Sequence, residues 1–206
     1  MNIKNLCNAF LRQLYALSRP SKAVNLRLLR GRGERVEQFV LRDAVPEDIP
    51  ALAELHAIAW AQTYPTVKKP PTAALRAWQW AEQFKQVDGT WFCLALQGPT
   101  GSLVGFVKGK TYAHANIPAY DGELNKMYLL KEYQRLGFGK KMLCVCADRF
   151  MVMGIKNMLL FAAPENPSCW FYEAMGGQRL YAANGDFDGG YGWPDLHALA
   201  AICKDQ

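Results

Sequence analysis

Met127-Tyr128-Leu129-Leu130-Lys131-Glu132-Tyr133-Gln134-Arg135-Leu136-Gly137-Phe138-Gly139-Lys140-Lys141 is the stretch on which the fold turns. A strand-like apolar run ends in it, a tight glycine-bearing loop follows, and helical periodicity begins. Backbone N–H groups at a helix start lack intrahelical partners, and the helix dipole adds a positive field. Such a junction is an anion site, and glycines remove side chains that would keep a pyrophosphate from the backbone. Arg135, Lys140 and Lys141 add charge beside it. The dinucleotide fingerprint Gly-x-Gly-x-x-Gly fails, because Met142 stands where its third glycine belongs. A Walker loop fails for want of Gly-Lys-Ser/Thr at its spacing. Glycines at such a junction also serve as no more than a tight turn.

Upstream, Glu37 to Arg42 reads as a short strand and Pro46 opens a helix at its preferred first-turn position, with Glu47 and Asp48 behind it. Ile49, Leu52, Leu55, His56 and Ala59 keep that helix at 3.6-residue periodicity. Thr72 caps a second helix that runs to Gln86 and carries Leu75, Trp78 and Phe84. Trp91 to Gln97 and Leu103 to Lys110 read as a hairpin across Gly98-Pro99-Thr100-Gly101-Ser102, and Glu123 to Leu130 as the next strand. Downstream, Phe138 to Met153 is helical, with Leu143, Cys146, Ala147, Phe150 and Met151 on one stripe. Asn157 to Ala163 reads as a central buried strand, Pro167 to Met175 as a short helix ended by Gly176-Gly177. Gln178 to Ala183 and His197 to Cys203 read as the last two strands. This order predicts an α/β domain with a mixed sheet and helices on both faces.

The 206 residues suit one domain with an appendage. The net charge of +6 is uneven: residues 1–36 hold eight basic side chains against Glu34 alone, and the remainder is slightly acidic. Residues 1–36 are therefore read as a basic extension whose first 17 residues place Ile3, Leu6, Phe10, Leu14 and Leu17 at helical spacing. A solvated or docked segment, a phosphate-rich partner such as nucleic acid, and an anionic membrane surface are all open to it. No apolar run reaches the roughly 18–20 residues of a membrane span. The six cysteines show no Cys-x-x-Cys pair, and reduced, partly buried thiols in a cytoplasmic protein are expected. Trp60, Trp78, Trp80 and Trp91 are available to an acceptor pocket but are expected mainly to pack the core. His56 and His197 are not expected to share a metal ion.

Gln134-x-x-Gly137-x-Gly139 resembles the Gln/Arg-x-x-Gly-x-Gly/Ala signature of the GNAT superfamily of N-acetyltransferases, and Met127-Tyr128-Leu129 is similar to the Leu-Tyr-Val strand before it. Asn166-Pro167-Ser168-Cys169-Trp170-Phe171-Tyr172-Glu173-Ala174-Met175-Gly176-Gly177 resembles the second family motif, Asn-Pro-x-x-x-Phe-Tyr-Glu-x-x-Gly-Gly. Leu41-Arg42-Asp43-Ala44 with Pro46-Glu47-Asp48 fits the family's entry, and the likeness runs from about residue 37 to 204. Leu136 and Val45, the latter at a helix cap, depart from the pattern without touching chemistry.

The resemblance implies a mostly antiparallel sheet with a central parallel pair splayed between the strands at 124–130 and 157–163, taking acetyl-CoA as cosubstrate and no metal. Met127, Tyr128 and Leu129 would lie along the pantetheine, with backbone of Met127 and Leu129 pairing to it. Gln134 would belong to the loop that binds the cofactor, and Arg135, Leu136, Gly137, Phe138, Gly139 and Lys140 would hold the pyrophosphate. Asn166 would bond the pantetheine, cap the following helix, or do both. A neutral amine would attack the thioester directly, with the Leu129 N–H as donor to the oxyanion. Tyr172 would give a proton to the leaving sulfur, the alternative being a Phe-Tyr pair packed on the core. Glu123 would be a base acting through water, or else a solvated edge charge; Tyr120 and Asp121 beside it are available to the amine, and His114 is read as surface. Protein N-termini, lysines, polyamines, aminoglycosides and small amino compounds all remain open as acceptors. A homodimer is open as well. A non-catalytic acetyl-CoA sensor signalling through the basic extension is the competing function.

Overall fold

The computed structural model describes residues 21–113, 117, 119–163, 166 and 168–204. The amphipathic pattern of residues 1–17 and the surface reading of His114 lie outside the described residues. Helix α1 spans Lys22–Gly31, with the Ser21 hydroxyl accepting from the Val24 N–H at 3.2 Å. Strand β1 follows at Val40–Asp43, after a single 3₁₀ turn where the sequence suggested that the strand had already begun. Pro46–Asp48 forms another 3₁₀ turn that runs into α2, Ile49–Thr63. Val45 cannot cap it, and the Asp48 carboxylate reaches back to the Val45 N–H at 2.9 Å instead.

Helix α3 covers Ala73–Phe84 and is capped by Thr72 as the sequence suggested. Its buried face differs from expectation. Trp80 is buried, whereas Trp78 is 62% exposed and Leu75 lies outside the core too. Strands β2 (Trp91–Gln97), β3 (Leu103–Thr111) and β4 (Gly122–Leu129) form an antiparallel meander. Helix α4 (Phe138–Val152) then crosses over to β5 (Met158–Phe161), which runs parallel to β4. Short helix α5 (Cys169–Ala174), β6 (Gln178–Leu180), β7 (Gly190–Trp193) and α6 (Leu196–Lys204) complete the chain. The described strands make one sheet in the order β1-β2-β3-β4-β5-β7-β6, antiparallel except at β4–β5.

Helices α2 and α3 cover one face, where Leu52, Leu55 and Trp80 meet Cys93 and Phe106. Helix α4 packs the other through Phe138, Met142, Leu143, Cys146 and Phe150, all 1% exposed or less. Two sequence expectations fail at the C-terminal end. His197 to Cys203 is helical, not a strand: its apolar run is rich in alanine, a strong helix former, and the Asp195 carboxylate accepts from the His197 N–H at 2.8 Å. The last strand is Gly190-Tyr191-Gly192-Trp193, hidden by its glycines. A Cβ on Gly192 would run into the Tyr120 hydroxyl, so this residue is small because the chain passes too close for any side chain. The cysteines are not all reduced either. Cys144 of α4 and Cys203 of α6, with Cα atoms 5.9 Å apart, form a disulfide, while Cys93, Cys146 and Cys169 are buried and take no part in it. No helix among the described residues is long and apolar enough to cross a membrane.

Candidate active site

Pairing between β4 and β5 holds only at Gly122–Met158 and Glu123–Leu159, and beyond these two rungs the strands part. The Leu130 N–H donates to Val104 on the β3 side at 3.0 Å. Backbone groups alternate sides along a strand, so those of Met127 and Leu129 face away from β3, toward the gap. The gap is a cavity of about 260 Å³. Met127, Tyr128 and Leu129 line one wall, Gln134, Arg135, Gly137, Gly139 and Lys140 its end, and Ser168, Phe171 and Tyr172 the wall across from β4.

The loop at its end is built by backbone geometry. Gly137 caps α4 at φ +89°, and Arg135, at φ +64°, is the one non-glycine of positive φ among the described residues. Two left-handed residues within three turn the chain sharply, so that the first N–H groups of a 15-residue helix border the cavity. Leu136 and Phe138 send their side chains into the core and offer the site only their main chain. The Gln134 amide donates to the Leu129 carbonyl at 2.9 Å, tying the loop to the end of β4. Lys141 is turned away and bonds the Phe39 carbonyl at 3.0 Å.

Behind the loop stands α1, part of the segment that the charge count set apart as an extension. Asn25, fully buried, donates to the carbonyls of Lys131 and Gln134 at 2.9 and 2.8 Å, and Arg32 donates to the Tyr133 hydroxyl at 2.8 Å. One polar side chain in a basic stretch gives no local sign of such a role. Thr63, Met142, Ser168 and Phe171 also line the cavity and were not singled out from the sequence. Ser168 and Phe171 sit inside the quoted motif, so only the direction of their side chains was missing.

Tyr172 is 5% exposed, its ring held against Phe171, Tyr191 and Trp193 at centroid distances of 5.4, 6.0 and 6.2 Å. The Gly-Gly pair of the motif explains itself here. Gly176, at φ +79°, ends α5, and a Cβ on Gly177 would lie 2.9 Å from the Tyr172 carbonyl and 2.8 Å from the Trp193 ring. Asn166 does not line the cavity. Its amide donates to the Tyr64 hydroxyl at 3.1 Å and its carbonyl accepts from the Ser168 N–H at 2.9 Å, bracing the start of α5 against the end of α2.

Glu123 stands apart from the cavity, six residues up β4 from Leu129, ion-paired with Lys110 at 2.9 Å and accepting from Asn125 at 2.6 Å. Asp121 is exposed and bonded through its N–H to Asn157, while Tyr120 is buried under β7. Burial pushes the Tyr128 phenol up to about 12, which keeps it neutral. Among the described residues no group of three His, Cys, Asp or Glu side chains is placed to hold a metal ion.

A family model described as the acetyltransferase (GNAT) family matches residues 52–177. The uncharacterized N-acetyltransferase YuaI of Bacillus subtilis is 31% identical over 174 residues, spanning 79% of this chain and 96% of its own length. Among solved structures, the PaiA N-acetyltransferase of Thermoplasma acidophilum, crystallised with coenzyme A, superposes with a TM-score of 0.60 at 21% identity, covering 75% of this chain and 97% of its own. A phosphinothricin acetyltransferase of Sinorhizobium meliloti in complex with AcCoA gives 0.54 at 19% identity, covering 75% and 86%. At these identities the two structures speak for the fold alone.

Proposed function

The chain belongs to the GNAT acetyltransferase family, and on that premise we propose that it moves acetyl from acetyl-CoA directly to a primary amine of its acceptor. The observation that carries this reading is the parted β4–β5 pair, with strand backbone facing the gap and a left-handed loop opening a helix at its end. An extended pantetheine needs strand-like partners, and a diphosphate needs clustered N–H groups; the residues present fit both. When bound, acetyl-CoA supplies an acetyl group activated as a thioester.

The chain's own residues then divide the work. Met127 and Leu129 pair their main chain with the pantetheine, and the Leu129 N–H is the donor to the carbonyl oxygen as charge grows on it. Backbone from Arg135 to Lys140 holds the diphosphate, with Arg135 and Lys140 adding charge. Gln134 and Asn166 act as struts, one between loop and strand and the other between α2 and α5. Tyr172 holds a proton for the departing sulfur. Glu123 is the base that receives the amine's proton through water, its carboxylate fixed by Lys110 and Asn125.

The test is calorimetric titration with acetyl-CoA, followed by an assay of free coenzyme A release over pools of amines. Micromolar affinity with amine-dependent release supports the reading. Tight affinity with no release from any amine would leave a sensor, and no affinity would sink both.

Helix α1 enters this function through its bonds behind the loop, which supports treating residues 37–206 as the catalytic unit with α1 docked on it. Asn25→Ala removes the side-chain donor to the carbonyls of Lys131 and Gln134, leaving Lys131 only the Gln134 N–H at 3.2 Å, and an unsatisfied buried carbonyl is worth about 1–3 kcal/mol. Acetyl-CoA affinity should fall about tenfold, with a melting temperature several degrees lower. An unchanged dissociation constant, measured by the same calorimetry, would reduce α1 to a passive cover.

A further inference from the structure

On the sheet face covered by α2 and α3, a second cavity of about 250 Å³ is lined by three cations. Arg76 comes from α3, Lys108 from β3 and Lys126 from β4. Lys108 and Lys126 are direct cross-strand partners, a placement in which like charges destabilise a sheet. No ion pair among the described residues includes any of the three. Among the described residues they bond to neutral amides: Lys108 to Gln83, Lys126 to Asn125 at 2.8 Å, and Arg76 to Gln79 at 2.8 Å. The nearby carboxylate, Glu123, is engaged by Lys110 and Asn125.

The cavity also gathers buried polar atoms with no hydrogen-bond partner among the described residues. The indole N–H of Trp80, Nε of Arg76 and Nδ1 of His56 are all in this state, and Trp80 and His56 are 3% and 2% exposed. Native interiors rarely leave such groups unpaired. Burial above all, then the neighbouring cations, holds the Lys108 amine down at about 8 and His56 at about 3. The imidazole is thus held neutral by its burial, and the three cations act on it in the same direction. One anion would accept from the orphaned donors and neutralise the repulsion together.

We propose that this cavity is the anion subsite of the acceptor: the amine acetylated by this chain carries a carboxylate or a phosphonate, clamped by Arg76, Lys108 and Lys126. The inference rests on the acetyltransferase reading and adds the substrate class to it. Tyr128 joins the two sites. Tyr128 is among the residues lining the gap between β4 and β5, and its ring packs on His56 at 4.8 Å, so one residue borders the thioester cavity and backs onto the cationic one. Glu123 shares that sheet face and reaches Lys126 through Asn125. A small amino acid or aminophosphonate can then hold its acid group on the cations with its amine directed to the gap.

The full chain is assayed for coenzyme A release with α-, β- and γ-amino acids and 2-aminoethylphosphonate, each paired with the amine that lacks the acid group. The best acid-bearing acceptor should exceed its neutral partner in kcat/KM by about 100-fold, as expected for two or more charge-assisted hydrogen bonds. That ratio should collapse in Lys126→Met and Arg76→Gln, mainly through KM, and return in Lys126→Arg. Carboxylate against phosphonate decides which acid the subsite takes. Inorganic phosphate supplies a readout independent of turnover. At constant ionic strength it should raise the melting temperature of the parent chain but not of Lys126→Met, which should itself melt higher without phosphate because a repelling charge is gone. Equal kcat/KM for acid-bearing and neutral amines, or a ratio untouched in both variants, overturns the proposal and leaves the acetyltransferase standing. Phosphate that binds without competing with the best acceptor overturns it as well, making the cavity a separate anion site. Should acetyl-CoA fail to bind, the parent reading falls, and a melting temperature indifferent to phosphate removes the anion site on its own evidence.

Discussion

Tyr172→Phe is expected to lower kcat about 100-fold while acetyl-CoA affinity stays within about twofold, the range usual for losing a positioned proton donor. The substitution removes one oxygen from a ring that Phe171, Tyr191 and Trp193 hold in place, so neither the packing of α5 nor the cavity wall changes. What changes is the fate of the sulfur. A thiolate expelled into the gap needs a proton or a strong hydrogen bond, and a phenol O–H can supply either. Single-turnover rates with calorimetric binding separate the two effects. An unchanged kcat would return Tyr172 to its alternative role as a packed ring beneath β7. Loss of affinity in step with rate would mean that the hydroxyl binds cofactor without serving the chemistry.

Elements set by local chemistry were legible in advance. The β2–β3 hairpin, the Thr72 cap and the glycine loop before α4 each follow from residues within a few positions of one another. The site's main wall was legible for the same reason, since Met127 to Gly139 is continuous in the chain. What escaped depends on distant juxtaposition. Gly190 and Gly192 fall outside every strand read from the sequence, because nothing near them in the chain reveals Leu180 beside the first or Tyr120 lying across the second. His197 to Cys203 is a short apolar run that suits either a buried strand or a helix, and packing against α4 decides it. The Cys144–Cys203 bond needs that helix first, so misreading the one hid the other. Lys108 and Lys126 look like ordinary alternating strand charges until α3 closes over them with Arg76. Of the predicted site residues, Asn166 and Glu123 stand outside the cavity: Asn166 bonds Tyr64 and the Ser168 N–H, the latter as its capping alternative has it, and Glu123 is held by Lys110 of the neighbouring strand.

Substituting valine for both Gly137 and Gly139 should weaken acetyl-CoA binding by at least about 100-fold, or roughly 2.7 kcal/mol, because the two glycines serve the loop in different ways. Gly137 has open space around its missing Cβ but sits at φ +89°, where a β-branched residue is strained by about 1–3 kcal/mol; valine there would swing the loop out of its left-handed turn. Gly139 is helical and unstrained. Its Cβ would touch the Phe171 ring at 3.5 Å, an ordinary contact, but the further methyls of valine would fill the space between the helix start and α5 that a diphosphate must enter. Gly139→Ala alone should therefore cost less than about threefold, while Gly139→Val should cost most of the affinity without unfolding α4, which Phe138, Met142, Leu143 and Cys146 anchor from its other side. A graded series from alanine to valine, at near-constant melting temperature, distinguishes steric exclusion from collapse of the helix. If the double variant folds and binds acetyl-CoA as the parent does, the exposed amides of this turn are not the diphosphate's seat, and the proposed division of roles along the gap loses its fixed point.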